Sequence, residues 1–138
     1  FKIVSNTVVS ENVMHSYPGG DAGGGGGVAV VLHYCNHNSQ VLNNTITSSN
    51  VGVGITSKLS NCTGPIKAYI KGNTIDGMKG NAIQMWDGSN EPHIENNIIK
   101  NAQVGIDLTN CPAATTVIGN TFTNVPTPTK YAGSTCKP

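Results

Sequence analysis

Five short segments of the chain share one pattern: an apolar residue, two variable residues, Asn, one more residue and a second apolar one. They are Ile3–Val8, Val41–Ile46, Ile70–Ile75, Ile94–Ile99 and Val117–Phe122, with Asn6, Asn44, Asn73, Asn97 and Asn120 in the shared column. The column's spacings are 38, 29, 24 and 23 residues, so the last two set the period and the first two are that period with insertions. A period of this length marks a stacked repeat, in which one unit cannot bury its apolar face alone and neighbours bury it together. The largest insertion is a glycine-rich loop at about residues 16–27. A second apolar set follows the first four Asn residues of the column: Val30 and Leu32, Val53 and Ile55, Ile83 and Met85, Ile106 and Leu108. Each pair is separated by one residue, as a strand requires, so two strands per coil are expected, with Val31, Gly54, Gln84 and Asp107 facing outward. No helical period of comparable length is present, because Gly, Asn and Thr interrupt every window.

This repeat resembles the right-handed parallel β-helix of the pectate-lyase-like superfamily, over nearly the whole chain. The resemblance implies an all-β solenoid of about five coils and a single domain spanning residues 1–138. Coils stacked about 4.8 Å apart bury like side chains on like. The column Asn is expected to hydrogen-bond along the stack through its amide while adopting an αL backbone, which β-branched residues avoid. The competing arrangement, five Asn-rich turns of a sandwich, leaves the second strand unexplained. Complete enzymes of this superfamily are longer and carry an N-terminal helix over the open end of the stack. No such capping helix is expected here, so the ends should meet other copies end to end or belong to a larger β-helix chain.

The cysteines were not used to define the repeat and test it independently. Cys35, Cys62, Cys111 and Cys136 recur at one region of the coil, which places Cys35 beside Cys62 and Cys111 beside Cys136 on neighbouring coils. Two disulfides are expected at separations that such a bond allows. The alternatives are four thiols, or a metal site on His33, Cys35 and His37, which alternate onto one face of a strand. No second ligand pair has the spacing of a structural zinc site, so neither a metal nor a cofactor is expected. An even cysteine count agrees with an oxidising compartment, and Phe1 opens directly on a strand-like run, as in a mature or excised chain. A secreted or extracellular location follows. Asn61 and Asn43 match the N-glycosylation acceptor pattern, Asn61 better because Asn43 abuts the Asn column.

Charged residues make up 11% of the chain, the formal net charge is +1, and all eight basic residues are Lys. Without a basic stripe or Arg, nucleic acid is not an expected partner. No run approaches the roughly 18–20 apolar residues of a spanning helix, so membrane insertion is not expected either.

Chemistry on a β-helix is sought on its outward faces. Trp86, the only Trp, sits beside Asp87, with Asp107 in the neighbouring column and His33 or His93 at the margin. An indole that stacks on a sugar ring beside carboxylates that take its hydroxyls makes this the candidate carbohydrate site. A paired-acid glycosidase needs two carboxyls at a set separation, and only Asp87 and Asp107 are candidates. The resemblance to pectate lyases implies an Asp cluster for Ca²⁺ with an Arg or Lys base, for which Lys71, Lys79 or Lys100 would have to serve. No catalytic residue is therefore assigned. The expected function is an extracellular structural or adhesive module, a filament subunit or a polysaccharide-contacting surface protein. The alternative is a polysaccharide lyase, epimerase or hydrolase, or a fragment of one.

Overall fold

The structure, a computed structural model, describes residues 2–3, 8–10, 13–15, 27–32, 38–55, 66–86, 90–109 and 115–131. Short runs of β-branched and aliphatic residues, broken by Asn, Ser or Gly at each corner, form strands that circle three faces in turn. The first circuit is β1 (Lys2–Ile3), β2 (Val8–Ser10) and β3 (Val13–His15); the second is β4 (Val28–Leu32), β5 (Ser39–Leu42) and β6 (Thr45–Thr47). The third is β7 (Val51–Ile55), β8 (Ile66–Lys71) and β9 (Thr74–Asp76), followed by β10 (Asn81–Met85), β11 (Asn90–Glu95) and β12 (Ile98–Lys100). Then come β13 (Val104–Leu108), β14 (Thr116–Ile118) and β15 (Thr121–Thr123), and β16 (Thr127–Tyr131) returns to the first face. The first sheet runs β1-β4-β7-β10-β13-β16, the second β14-β11-β8-β5-β2 and the third β15-β12-β9-β6-β3. Every strand pairing among the described residues is parallel and joins one circuit to the next. Parallel strands joined by crossovers of one hand make a right-handed parallel β-helix. No helix occurs among the described residues, and none there is long and apolar enough to cross a membrane.

Each circuit has three strands where two were expected. The repeated segment is itself bent: its first apolar residue lies in the second sheet and its last in the third, with Asn at the corner between them. Val41, Ile70 and Ile94 form the inward column of the second sheet, and Ile46, Ile75 and Ile99 that of the third. Val30, Val53, Ile83 and Ile106 stack inward on the first sheet, beside Leu32, Ile55, Met85 and Leu108. All of these side chains are at most 1% exposed. A column of small residues, Ala29, Gly52, Ala82 and Gly105, brings the first sheet close to the third. A Cβ on Gly52 would lie 2.8 Å from Ile75 Cγ2, and one on Gly105 would lie 2.5 Å from the Phe122 ring.

The first repeated segment, Ile3–Val8, runs from the first sheet to the second and not from the second to the third. Ile3 pairs with Leu32 on the first sheet, whereas Ser10 pairs with Leu42 and Val13 with Thr45. The segment Val9–Met14 carries the same apolar-x-x-Asn-x-apolar pattern. Asn6 and Asn12 both lie outside the described residues, as do Asn61, His33, Asp87 and all four cysteines with the pairing expected of them.

The column Asn does not itself take the left-handed backbone. That conformation belongs to the residue before it: Asn43 (φ 54°), Gly72 (φ 66°), Asn96 (φ 54°) and Gly119 (φ 68°). Asn43, the second candidate glycan acceptor, is exposed, with its amide laid over the site where Gly72 lacks a Cβ. The column Asn instead carries the hydrogen bonds. Asn73 Oδ1 accepts from Asn44 N and Nδ2 at 2.9 and 3.0 Å, Asn97 Oδ1 from Asn73 N and Nδ2 at 3.0 and 2.9 Å, and Asn120 Oδ1 from Asn97 N and Nδ2 at 3.0 and 2.8 Å. Each Nδ2 also donates backward, from Asn73 to Val41 O, from Asn97 to Ile70 O and from Asn120 to Ile94 O.

Candidate functional site: the outer faces

Alternation on β4, β7, β10, β13 and β16 brings Val31, Gly54, Gln84, Asp107 and Lys130 into one outward column along the axis of the first sheet. Trp86, just past the end of β10, folds its indole back over this column. A Cβ on Gly54 would lie 2.3 Å from its Cη2 and 2.4 Å from its Cζ3, so the ring lies against the bare backbone of the preceding circuit. The Trp86 amide donates to Ile55 O at 3.0 Å, which ties the strand end to that circuit. The half-buried indole therefore meets its own scaffold. Only glycine at position 54 leaves room for it, and periodicity does not disclose that role.

Asp107 is 6% exposed although it points outward, because its carboxylate is enclosed by partners. Oδ1 accepts from the Thr109 amide at 3.0 Å and from the Thr109 hydroxyl, and Oδ2 accepts from Asn81 Nδ2 at 3.2 Å. Lys130 Nζ lies 3.7 Å from Oδ2. A carboxylate held this way orders the face. Among the described residues no second carboxylate stands on this sheet to make a catalytic pair with it.

His93 belongs elsewhere. It points out from β11 on the second sheet, so the structure does not bring it to Trp86 and Asp107. Its ring stacks on Tyr69 with centroids 4.9 Å apart and planes 18° apart, and its Nδ1 lies 3.7 Å from Glu95 Oε1. Lys71 Nζ reaches Glu95 Oε2 at 3.0 Å and sits 5.3 Å from the centre of the Tyr69 ring. Sequence reasoning missed Tyr69, Lys71 and Glu95 as partners of His93. The signal was the alternation Lys67-Tyr69-Lys71 against Glu91-His93-Glu95, legible once both segments are read as strands of one sheet. Glu91 and Glu95 are four residues apart on one strand, about 13 Å in extended chain, too far to act across one glycosidic bond.

Metal donors are sparse on these faces. His93 and Glu95 supply two, the core buries Met78 and Met85, and no group of three or more His, Cys, Asp or Glu able to hold an ion occurs among the described residues.

The sequence model of a protein family described as periplasmic copper-binding protein (NosD) matches residues 3–135. No curated protein and no solved structure matches the chain.

Proposed function

The chain belongs to the NosD family, described as periplasmic copper-binding protein, and from that premise we propose that it is an envelope β-helix module that works by contact rather than catalysis. Its ligand is a saccharide laid on the outer face of the first sheet. One observation carries this: the Trp86 indole is seated against Gly54, in a column that continues with Gln84, Asp107 and Lys130. An aromatic ring fixed on a rigid strand face takes the apolar side of a pyranose, and flanking amide, carboxylate and ammonium groups take its hydroxyls. Because Asp107 is already held by Thr109 and Asn81, it favours orienting a ligand over exchanging a proton with it. Processing of a polysaccharide by a lyase, epimerase or hydrolase is the competing activity.

Trp86 is the only Trp, so its fluorescence reports on this face alone. Titration with neutral and acidic oligosaccharides should shift its emission saturably, and Trp86→Ala should abolish binding measured by calorimetry. No response to any glycan sinks the proposal, and a shortened or unsaturated product would replace contact with catalysis.

Copper is the second candidate ligand, favoured by the family's description. The described residues do not fit it: His93 with Glu95 leaves a copper ion short of donors, and the described methionine side chains are in the core. Thiolate and imidazole donors of the kind copper prefers occur in sequence at His33, Cys35 and His37, outside the described residues. Calorimetry with copper would assign it to them if binding is lost in His33→Ala/His37→Ala and retained in His93→Ala.

A further inference from the structure

The outer face of the second sheet is complementary to itself, and the geometry points to it as the contact surface of a two-fold dimer of this chain. Along β8 the outward residues are Lys67, Tyr69 and Lys71; along β11, one rung away and in register with them, they are Glu91, His93 and Glu95. A cationic row thus lies beside an anionic row, with an aromatic ring at the middle of each. The columns continue outward in kind. Leu42 flanks Lys71 and Ile118 flanks Glu95, while Gln40 flanks Tyr69 and Thr116 flanks His93.

A closed dimer requires one surface to match its own image under a two-fold rotation. Only one in-plane axis achieves this here. With the axis parallel to the strands and midway between β8 and β11, the position along each strand is kept and the two rows exchange. The partner's Lys67 then faces Glu91, the partner's Lys71 faces Glu95 and the partner's Tyr69 faces His93. An axis along the solenoid would instead reverse each strand without exchanging rows, setting Lys67 against the partner's Lys71. Charge complementarity therefore selects antiparallel solenoids packed through this face.

Two further facts support a second copy as the occupant. The ion pairs within each chain, such as Lys71 to Glu95 at 3.0 Å, complete a checkerboard of alternating charge with the partner's pairs and need not break. Ile118, at 63% the most exposed of the large hydrophobic side chains described, comes to lie over the partner's Leu42. The patch spans four rungs and few residues compared with the 20–30 a side of a standard interface, so the association is weak and concentration-dependent.

Sedimentation velocity on the whole chain at rising concentration and low ionic strength tests this. The protein should form a dimer that salt dissociates. Lys67→Glu/Lys71→Glu and Glu91→Lys/Glu95→Lys should each weaken self-association by about tenfold or more, as for lost charge pairs across an interface. Mixed together, the two variants should form a heterodimer, which also shows that both are folded. A wild-type chain that stays monomeric, variants that associate as before, a mixture that does not pair, or open-ended polymers from end-to-end stacking would each overturn the proposal.

Discussion

At the scale of single residues, the corner between the second and third sheets divides two demands between neighbours. The residue before the column must take positive φ, which costs an ordinary L-residue roughly 1–2 kcal/mol and is tolerated by Asn and Gly. Asn43, Gly72, Asn96 and Gly119 alternate there, each Asn amide lying over the glycine of the next circuit. The column residue must satisfy buried backbone on both sides, and Asn73 and Asn97, fully buried, do so with donor and acceptor at once. Asn97→Ala strands the amide and side chain of Asn73 without their acceptor and Ile70 O without a donor. Unpaired buried groups should lower stability by on the order of 3 kcal/mol in urea unfolding, whereas Asn96→Gly, which keeps the left-handed corner, should stay within about 1 kcal/mol. Equal losses in the two variants would refute the division of labour.

At the scale of elements, the strands are short, and what holds them is the column each inward side chain makes with its counterparts above and below. Ile106 stands between Ile83 and Thr129 and is fully buried. Ile106→Ala should cost about 2–5 kcal/mol by thermal or urea unfolding, since rigid neighbouring rungs cannot collapse into the space. A loss below 1 kcal/mol would mean that the first sheet relaxes freely. Eight inward residues were legible, Ile70, Ile75, Ile94 and Ile99 from the Asn-centred repeat and Ile83, Met85, Ile106 and Leu108 from period-two patterning, and all are buried. The third sheet was not legible as a sheet. Strands such as Thr45–Thr47 and Ile98–Lys100 hold a single inward residue each, too few to show a period.

At the scale of the whole molecule, stability is a sum over neighbouring rungs, so circuits with a neighbour on each side should be held most firmly. Past β13 the inward columns continue as Val117, Phe122 and Thr129, none of them fully buried, and Val125 packs only partly on the core. Hydrogen exchange should accordingly find strongly protected amides in β7 to β13 and faster exchange in β14 to β16. Uniform protection through β16 would show that the last rungs are covered in solution. The faces proposed for saccharide and for dimer contact lie on different sheets of the same stack, so binding at one would leave the other accessible.

What the sequence determined by itself was the stack. In a solenoid each residue meets the residue at the same position of the next circuit, so a column of like residues along the chain is already a column in space. The Asn column and the aliphatic core were therefore readable from spacing, and the resemblance of that repeat to known parallel β-helices supplied the class. Only the tertiary structure decided which of three faces each outward residue occupies. That depends on the direction of the chain after each corner, set at the corners after the second and third sheets by one left-handed residue that leaves no trace in a period-two pattern. For that reason His93 left Trp86 to join Tyr69 and Glu95. The seat that Gly54 provides for the Trp86 indole joins residues 32 positions apart, and only the stacking of two circuits brings them together.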